Sequence, residues 1–543
     1  MSDARVLICF ATVLAAVSLV AAPARAQRSC ASLSSLRLPH TTITLAKFVP
    51  AGPFTPPPSP FGPSRPVDLP AFCRVVGVIR PTSDSHIKFE VWMPAKGWNG
   101  RFQQLGNGGF AGSIVYSLMI PALRQGYATA STDDGHTGGG APIWAIYHPQ
   151  KVIDFGYRAV HLTAKDGEAI VRAFYSHRAR WSYFVGCSDG GREALMEAQR
   201  FPDDFNGIIA GAPANSWTHL MAGFVWDEQA TLDNPASYIP ASKLPLIQAG
   251  ALAACDALDG IKDGLIEDPR RCHFDPASLE CKGPDGPDCL TAPQVEAVEK
   301  IYAGPKNPRT GKQIFPGYEP GAEAARADWP FWITGKAPGK GEQLFFGNGF
   351  FADMVFKNPK WNFRTFNFDS DVRFADAKLG PILNSANSNL LPFKARGGRL
   401  IQYHGWADSA IAPLSSVGYY ESVVAVMRSH LPRGADALRE TQSFYRLFMV
   451  PGMGHCGGGP GPDVLRTEAG SGLVTALRDW VEHDTAPDKI VGTKFVDDNP
   501  AKGVLRTRPV CPYPEEAKWT GKGNTNDAAN FVCALPDASL LVR

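Results

Sequence analysis

Short apolar segments alternate with helix-like patterns in two parts of the chain. In the first part the predicted strands are Phe89–Met93, Arg101–Leu105, Ala128–Ser131, Trp181–Val185 and Phe205–Ala210, and the predicted helices are Arg158–Tyr175 and Glu193–Arg200. In the second part the predicted strands are Arg399–Tyr403 and Phe444–Val450, and the predicted helices are Pro413–Met427 and Gly472–Val481. This alternation is typical of a parallel sheet covered by helices on both faces. It predicts an α/β fold.

Residues 216–395 interrupt the alternation. They contain four cysteines, an acidic loop and 13 Phe or Trp residues between Trp329 and Phe374. We therefore predict one α/β domain, formed by residues 27–215 and 396–543, into which residues 216–395 are inserted as a lid domain.

The N-terminal segment has the pattern of a secretory signal peptide. Arg5 precedes an apolar run from Val6 to Ala22, and Ala24-Arg25-Ala26 matches a cleavage site. Residues 1–26 are therefore predicted to be removed from a secreted or periplasmic protein. The run is too short for a membrane span and no later apolar run reaches about 18 residues, so no membrane association is expected.

Composition narrows the classes of function. The chain has 543 residues, and 54 Lys and Arg against 52 Asp and Glu give a net charge of +2. Because there is no basic excess, nucleic-acid binding is not expected. Eleven cysteines become ten without Cys9, and an even number in an exported protein predicts disulfides. No Cys-x-x-Cys pair is present, which disfavours a zinc site.

Gly186-Cys187-Ser188-Asp189-Gly190 fits the pattern Gly-x-Ser-x-Gly. The pentad alone is a weak signal because 54 of the 543 residues are glycine. Its context is stronger, since a predicted strand ends at Val185 and a helical pattern follows Gly191. Ser188 is therefore the predicted nucleophile, and a plain Gly-rich turn is the alternative.

Two later loops supply the groups that an activated serine needs. Asp408 follows the strand that ends at Tyr403, and His455 follows the strand that ends at Val450. Catalytic groups of α/β sheets gather at the carboxyl ends of strands, and the order Ser, Asp, His is that of the α/β-hydrolase fold. His404 is a second candidate for the base, but it precedes Asp408 in the chain.

Backbone amides are predicted to stabilise an oxyanion. Asp189 supplies one amide as the residue after the nucleophile, and the Gly-rich segment Gly106–Gly112 supplies the other. Gly108 and Gly109 both fit, and Gly109 is preferred.

Cys187 and Cys456 each lie next to a predicted catalytic residue. If Ser188 and His455 meet, the two cysteines are close enough for a disulfide across the site. Two buried thiols are the alternative.

Residues 256–265 form an acidic loop with three Asp and two Gly. Calcium prefers such carboxylates together with backbone carbonyls, although the spacing is not that of an EF-hand. A solvated acidic turn is the alternative.

Three of these motifs carry a family resemblance. Gly-Cys-Ser-Asp-Gly-Gly at 186–191, His-Gly-Trp-Ala-Asp at 404–408 and Gly-His-Cys at 454–456 resemble the tannase/feruloyl esterase family. That family includes a bacterial esterase that cleaves mono(2-hydroxyethyl) terephthalate. The resemblance covers essentially the whole mature chain, and it implies a triad of Ser188, Asp408 and His455 and a Cys187–Cys456 disulfide.

The resemblance also implies a calcium ion in the lid. Its ligands would be the side chains of Asp256, Asp259 and Asp263 and the carbonyls of Ile261 and Leu265. The remaining cysteines would pair in family style as Cys30–Cys73, Cys255–Cys272, Cys281–Cys289 and Cys511–Cys533.

The expected function is that of a secreted serine carboxylic ester hydrolase. It would cleave small esters of aromatic acids, hydroxycinnamoyl (feruloyl) or galloyl, through an acyl-enzyme, with lid aromatics holding the ring. A terephthalate-monoester esterase is the nearest alternative and would need a cation such as Arg364 or Arg373. A non-catalytic phenolic or carbohydrate binding protein and a serine peptidase are further alternatives. The sequence leaves the acid, the alcohol and the oligomeric state open.

Overall fold

The central sheet is built from strands in both halves of the chain. The computed structural model describes residues 28–58, 64–465 and 472–536, so the predicted signal peptide lies outside the described residues. The strands are β1 (Thr41–Val49), β2 (Gly52–Phe54), β3 (Val67–Leu69), β4 (Phe72–Ile79), β5 (Ile87–Pro94), β6 (Arg101–Leu105), β7 (Ala128–Thr132), β8 (Trp181–Cys187), β9 (Gly207–Gly211), β10 (Arg399–Gly405), β11 (Tyr445–Val450), β12 (Ile490–Phe495), β13 (Val504–Val510), β14 (Glu516–Trp519) and β15 (Phe531–Ala534).

The sheet is mixed rather than wholly parallel. Its order is β1-β4-β5-β7-β6-β8-β9-β10-β11. The neighbours from β7 to β11 are parallel, as predicted. The prediction is wrong for the strand Phe89–Met93, which is β5 and pairs antiparallel with β4 and β7. Strands β1 and β4, which the pattern did not predict, are antiparallel to each other. Only residues 80–86 connect β4 to β5, and that is too short for the crossover that parallel neighbours need.

Helices cover both faces of the sheet. The helices are α1 (Tyr116–Arg124), α2 (Pro149–Ile153), α3 (Ala159–Tyr175), α4 (Asp189–Arg200), α5 (Trp217–Leu232), α6 (Leu244–Cys255), α7 (Ala292–Ala303), α8 (Trp329–Trp332), α9 (Glu342–Gly349), α10 (Ser370–Leu383), α11 (Leu391–Ala395), α12 (Leu414–His430), α13 (Ala437–Gln442) and α14 (Leu473–His483). In β8, Phe184 joins the apolar cluster that includes Val171 of α3, while Tyr183 joins the opposite cluster with Leu477 of α14. The sheet is therefore buried on both sides where the strands are parallel.

The chain between β9 and β10 adds no strand to the central sheet. Residues 212–398 instead carry α5 to α11, and α5 to α10 pack around a separate apolar cluster, whereas Phe393 of α11 joins the cluster under the central sheet. Most of the aromatic residues counted in the sequence lie in that cluster, among them the buried Phe350, Phe351 and Phe363. The proposed lid boundaries at 216 and 395 fall close to the ends of this excursion and stay a prediction.

All five predicted disulfides are present. They are Cys30–Cys73, Cys187–Cys456, Cys255–Cys272, Cys281–Cys289 and Cys511–Cys533.

Candidate active site

Ser188 lies at a tight turn between β8 and α4. Its backbone φ is +67°, a left-handed conformation that costs free energy for a residue with a Cβ atom. The surrounding glycines make the turn sterically possible. A Cβ atom would lie 2.3 Å from the Gly190 carbonyl oxygen if placed on Gly186, and 2.2 Å from the Gly211 carbonyl oxygen if placed on Gly191. The predicted elbow is therefore a real backbone turn, and α4 begins directly after Ser188, four residues before the predicted start of the helix.

His455 and Asp408 are in direct contact, although they come from different loops. The Nδ1 atom of His455 lies 2.8 Å from Oδ2 of Asp408, and Asp408 is fully buried at the end of β10. The other oxygen, Oδ1, accepts the amides of Ala410 and Ile411, each at 2.8 Å. Burial opposes ionisation of Asp408, but the His455 charge and the histidine hydrogen bonds outweigh it and hold the pKa well below its usual range. Asp408 is thus a fixed anion that orients His455.

His404, the second candidate for the base, contacts Asp408 but does not line the cavity that Ser188 and His455 line. It is completely buried, and its Nε2 lies 3.1 Å from Oδ2 of Asp408 and 3.0 Å from the Ile411 carbonyl oxygen. Two acceptors at Nε2 place the proton there. Nδ1 then accepts the Ser416 hydroxyl at 2.7 Å, and that hydroxyl accepts the Gln402 amide at 2.6 Å. His404 therefore supports Asp408 and has no path to a substrate.

One cavity brings the predicted residues together. It is lined by Gly109, Ser188, Asp189, Ala214, Trp217, Leu220, Met221, Phe224, Trp332, Phe346, Ala410, Ile411 and His455. Apart from Ser188, Asp189 and His455, its lining residues are apolar, and Trp332 packs edge-on against the His455 ring with centroids 5.2 Å apart. The volume is about 50 Å³, whereas one water needs about 10–15 Å³ by this measure. The enclosed space therefore holds the few heavy atoms of a bound group that lie next to Ser188, and not the whole of a larger group. We call it the acyl cavity below.

Two backbone amides border the acyl cavity beside Ser188. Gly109 lines it, with φ of +61°, and Asp189 stands at the first position of α4. Within the described part of the chain, neither amide has a protein acceptor. Gly108, the alternative donor, is not among the lining residues, so the geometry favours Gly109.

A buried hydrogen-bond network holds the Gly-rich segment Gly106–Gly112 against the start of α4. Glu193 of α4 accepts the Asn107 amide at 3.0 Å, and the Asn107 carbonyl accepts the Gly190 amide at 2.9 Å. Burial, together with the nearby charge of Asp189, raises the pKa of Glu193 to about 7. The buried Arg192 pairs with Asp189 at 2.6 Å. Sequence analysis missed Arg192 and Glu193, because their positions on α4 resemble those of any polar helix residues.

Asp328 links the lid to the loops that carry Asp408 and His455, and sequence analysis also missed it. Its carboxylate is buried and accepts the Ser409 hydroxyl at 3.5 Å, directly after Asp408. A Cβ atom on Gly454 would lie 2.6 Å from Oδ1 of Asp328. Burial and the charge of Asp408 raise the pKa of Asp328 well above its usual value. Its backbone carbonyl accepts the Trp332 amide, so one residue fixes both sides of the acyl cavity.

The acidic loop has partners within the protein. Asp256 accepts the amides of Asp263 and Gly264, and Asp259 accepts the Ile261 amide. Asp263 pairs with Arg508 of β13. Burial, together with the charges of Asp263 and Asp256, raises the pKa of Asp259 to about 6.

The donor atoms of the acidic loop are of the kind that bind calcium. The negative charge of the loop is partly neutralised by Arg508 in the absence of an ion. All donors are oxygen atoms, and the mutual repulsion of the carboxylates would be relieved by a hard cation. In the described residues, the carboxylates of Asp256, Asp259 and Asp263 do not bring their oxygens within 4.8 Å of one another, whereas two groups elsewhere do bring three metal-capable side chains that close. These groups are His161, Glu197 and Asp204, and Asp134, Asp189 and Glu193. Neither includes the acidic loop.

The turn at Ser188 and the parallel strands that carry Asp408 and His455 define an α/β hydrolase. Residues 73–534 match the family described as tannase and feruloyl esterase. The chain belongs to this family and is a carboxylic ester hydrolase, which excludes a purely binding role.

Relatives are similar over nearly the whole chain. An uncharacterised esterase of Xanthomonas campestris pv. campestris is 48% identical, covering 96% of this chain and 93% of the relative. The mono(2-hydroxyethyl) terephthalate hydrolase of Piscinibacter sakaiensis is 33% identical, covering 86% and 85%. The crystal structure of feruloyl esterase B from Aspergillus oryzae superposes with a TM-score of 0.84 at 29% identity, covering 93% of this chain and 99% of that one. No helix in the described residues has the length and apolar character needed to cross a bilayer.

Proposed function

We propose that the protein is an exported serine esterase that hydrolyses hydroxycinnamoyl esters of the feruloyl type through an acyl-enzyme. The observation that carries the proposal is the contact of His455 with the buried anion Asp408 beside the cavity that Ser188 lines. Such a contact leaves Nε2 of His455 free to act as the base for a serine hydroxyl.

Acylation uses three side chains and two backbone amides. Ser188 Oγ attacks the ester carbonyl carbon while His455 Nε2 takes the hydroxyl proton, and Asp408 stabilises the resulting imidazolium. The oxyanion receives the amides of Gly109 and Asp189. The carbon–oxygen bond to the alcohol then breaks, and His455 returns the proton to the leaving oxygen.

Deacylation repeats these roles with water. His455 takes a proton from water as its oxygen bonds to the acyl carbon, and the bond from that carbon to Ser188 Oγ breaks as the proton passes to Ser188. One ester and one water give one acid and one alcohol.

The walls of the acyl cavity indicate an aromatic acid with little charge. Trp217, Phe224, Trp332 and Phe346 offer ring surfaces for stacking, and buried apolar walls disfavour a free carboxylate. Galloyl groups carry three hydroxyls, for which these walls provide few partners, so we place hydroxycinnamoyl esters first.

A terephthalate monoester is less favoured because its second carboxylate lacks a cation. Arg364 is exposed and lies near Asp233 at 3.5 Å, and Arg373 is exposed and near Asp369 at 3.4 Å. Neither lines the acyl cavity. His455 is the one basic side chain among its lining residues, and it is committed to catalysis.

We further propose that the acidic loop binds a structural calcium ion through Asp256, Asp259 and Asp263, with the carbonyls of Ile261 and Leu265. When bound, the ion would neutralise the loop and stabilise the lid. Export through the segment at 1–26 is part of the same proposal, supported by five disulfides, which form in oxidising compartments.

A substrate panel tests the proposal. Methyl ferulate, methyl gallate, mono(2-hydroxyethyl) terephthalate and a peptide p-nitroanilide are compared by kcat/KM. We expect the highest value for methyl ferulate and none for the peptide. A preference for the terephthalate monoester would overturn the assignment of the acid.

A further inference from the structure

Asp134 lies two residues beyond the end of β7 and faces the carboxylates at the start of α4. Oxygen atoms of Asp134, Asp189 and Glu193 lie within 4.8 Å of one another, and all three residues are buried. The sheet explains why they meet. Strands β7, β6 and β8 are parallel neighbours, so the loops that follow them leave from the same edge.

Arg192 is the cation that faces this cluster, and it neutralises only one of the three carboxylates. Its Nε atom donates to Oδ1 of Asp189 at 2.6 Å, and its two terminal nitrogens donate to backbone carbonyl oxygens at 2.7 and 2.9 Å. Asp134 and Glu193 have no ion-pair partner among the described residues. Burial and mutual repulsion disfavour two ionised carboxylates at this distance, so the pair carries a proton.

The hydrogen bonds favour Asp134 as the group that holds this proton. Glu193 Oε2 already accepts the Asn107 amide at 3.0 Å, which stabilises the ionised form of Glu193. In the part of the chain that the structure describes, neither oxygen of Asp134 and not Oε1 of Glu193 has another partner. A hydroxyl on Asp134 that donates to Glu193 satisfies both groups. Burial, together with the charge of Glu193, raises the pKa of Asp134 well above its usual range.

Glu193 in turn determines where the Gly-rich segment lies. The Asn107 amide donates to Glu193, and the Asn107 side chain donates to the Thr132 carbonyl oxygen at 2.9 Å. A Cβ atom on Gly106 would lie 2.7 Å from Oε2 of Glu193, so the backbone packs directly on this carboxylate. Gly109 follows two residues after Asn107 and lines the acyl cavity. The position of its amide therefore depends on Glu193.

We propose that Asp134 is a positioning residue for ester hydrolysis, whose protonated carboxyl group donates to Glu193 and thereby holds the Gly109 amide at the oxyanion. An oxyanion donor must lie about 2.7–3.1 Å from the developing charge, so a small shift of the Gly-rich segment lowers the rate. The inference rests on the proposed function, because that function assigns the oxyanion to Gly109 and Asp189.

Two variants separate the donor from the charge. Asp134→Asn keeps a donor of the same shape, and Asn tolerates the left-handed backbone at this position, where φ is +55°. Its kcat on methyl ferulate should stay within about threefold of the wild type. Asp134→Ala removes the donor and should lower kcat roughly 10- to 100-fold with KM within about twofold, since losing an oxyanion donor outright costs about 100- to 1,000-fold.

An inhibitor that forms an oxyanion measures the same effect without turnover. Ser188 Oγ adds to the carbonyl carbon of a trifluoromethyl ketone analogue of methyl ferulate, and the carbonyl oxygen becomes the oxyanion. Asp134→Ala should raise the inhibition constant of this ketone by about the factor by which kcat/KM falls. The inhibition constant of ferulate, which forms no adduct, should change less than twofold. A loss of packing alone would not separate the two inhibitors.

Asp484 provides the matched control. It also has φ of +55°, but it follows α14 and its side chain is 83% exposed. Asp484→Asn and Asp484→Ala should leave kcat and both inhibition constants unchanged, although alanine strains the backbone there as it does at Asp134.

Infrared spectroscopy keeps the proposal testable if Asp134→Ala does not fold. The difference between the wild-type and Asp134→Asn spectra at about pH 8 should contain the carbonyl band of a protonated carboxyl group. Absence of that band would overturn the assignment. So would equal losses of kcat in Asp134→Asn and Asp134→Ala, or a wild-type kcat in folded Asp134→Ala. A wild-type enzyme that neither hydrolyses methyl ferulate nor binds the ketone would instead refute the proposed function.

Discussion

Cys187 and Cys456 form a disulfide that joins the residue before Ser188 to the residue after His455. Their Cα atoms lie 6.1 Å apart, although 269 residues separate them in sequence. The bond is therefore a covalent link across the proposed catalytic pair. It limits how far the His455 loop can move from the turn at Ser188.

Removing this link should damage catalysis in a protein that still folds. For Cys187→Ala with Cys456→Ala we expect kcat to fall roughly 10- to 100-fold, because small misplacements of a base cost large rate factors. The melting temperature will fall too, since closing so long a loop can contribute up to about 5 kcal/mol. Circular dichroism establishes that the variant is folded, and kcat is measured below its melting temperature.

A second disulfide provides the matched control. Cys281–Cys289 closes a loop with a sequence separation of eight residues in the lid. Its double alanine variant should keep the wild-type kcat. Equal losses of kcat in both double variants would show that the effect is general destabilisation.

Ser188→Ala should abolish ester hydrolysis without unfolding the protein. Alanine keeps the Cβ atom, so the left-handed backbone at this position is strained to the same extent as in the wild type. Loss of a triad member leaves only weak residual catalysis. Residual activity above a few per cent on methyl ferulate, with an unchanged melting temperature, would refute Ser188 as nucleophile.

His404 should act on turnover through Asp408. His404→Phe removes the hydrogen bond to Oδ2 of Asp408, and a bond to a charged group contributes about 1.5–3 kcal/mol. We expect kcat to fall at least tenfold while KM stays within about twofold. His404→Gln keeps an N–H donor and should restore part of the rate. If Gln and Phe lose equal activity, packing rather than the hydrogen bond is responsible.

Glu228 makes the lid less stable at high pH. It is buried on α5, one turn beyond Phe224 of the acyl cavity, and burial raises its pKa to about 8 from the usual 4.5. The folded state therefore holds this proton up to about pH 8, whereas the unfolded state loses it near pH 4.5. The free energy of unfolding therefore falls as the pH rises from about 4.5 to about 8, by at most about 5 kcal/mol.

Glu228→Gln removes this titration. The variant should melt at a higher temperature than the wild type at pH 9, and the difference should shrink as the pH approaches 5. Glu299→Gln, at an exposed position of α7, is the control and should show no such dependence. A pH-independent difference for Glu228→Gln would contradict the assignment.

Calcium should raise the melting temperature. An ion that binds only the folded state stabilises by mass action, so chelation should lower the melting temperature and added calcium should restore it. Asp263→Asn should abolish the calcium-dependent change. The variant also loses the pair with Arg508, so its absolute stability is not the readout. Asp288→Asn, at an exposed site in another lid loop, should respond like the wild type.

The sequence predicts those parts of the site that depend on local pattern. Strand β6 has its predicted bounds, and the glycines around Ser188 indicate the turn before any contact is known. The cysteines beside Ser188 and His455 predict their own pairing, because each is adjacent in sequence to the residue that it positions.

Features of the site that depend on contacts between distant parts of the chain cannot be predicted from the sequence pattern. Trp217 and Phe224 line the acyl cavity from α5, a helix whose residues are buried around most of its circumference, so the sequence does not distinguish the face that lines the cavity from the face that packs in the core. Asp328 lies in an irregular lid segment, and its neighbours Ser409 and Gly454 are far along the chain. The edge strand β1 has no fully buried position, so its alternation is between exposed and half-buried residues and gives a weak signal.

The lid leaves the sheet at β9 and returns at β10, and these two strands are parallel neighbours. The whole lid is thus a single enlarged crossover of the kind that any parallel pair requires. Such a connection can lengthen or diversify without changing the order of the strands. New substrate specificities can therefore evolve in the lid while the topology of the sheet stays the same. Deleting the lid outright would leave two strands that no short linker can join, and an engineered minimal enzyme would need a replacement helix at this position.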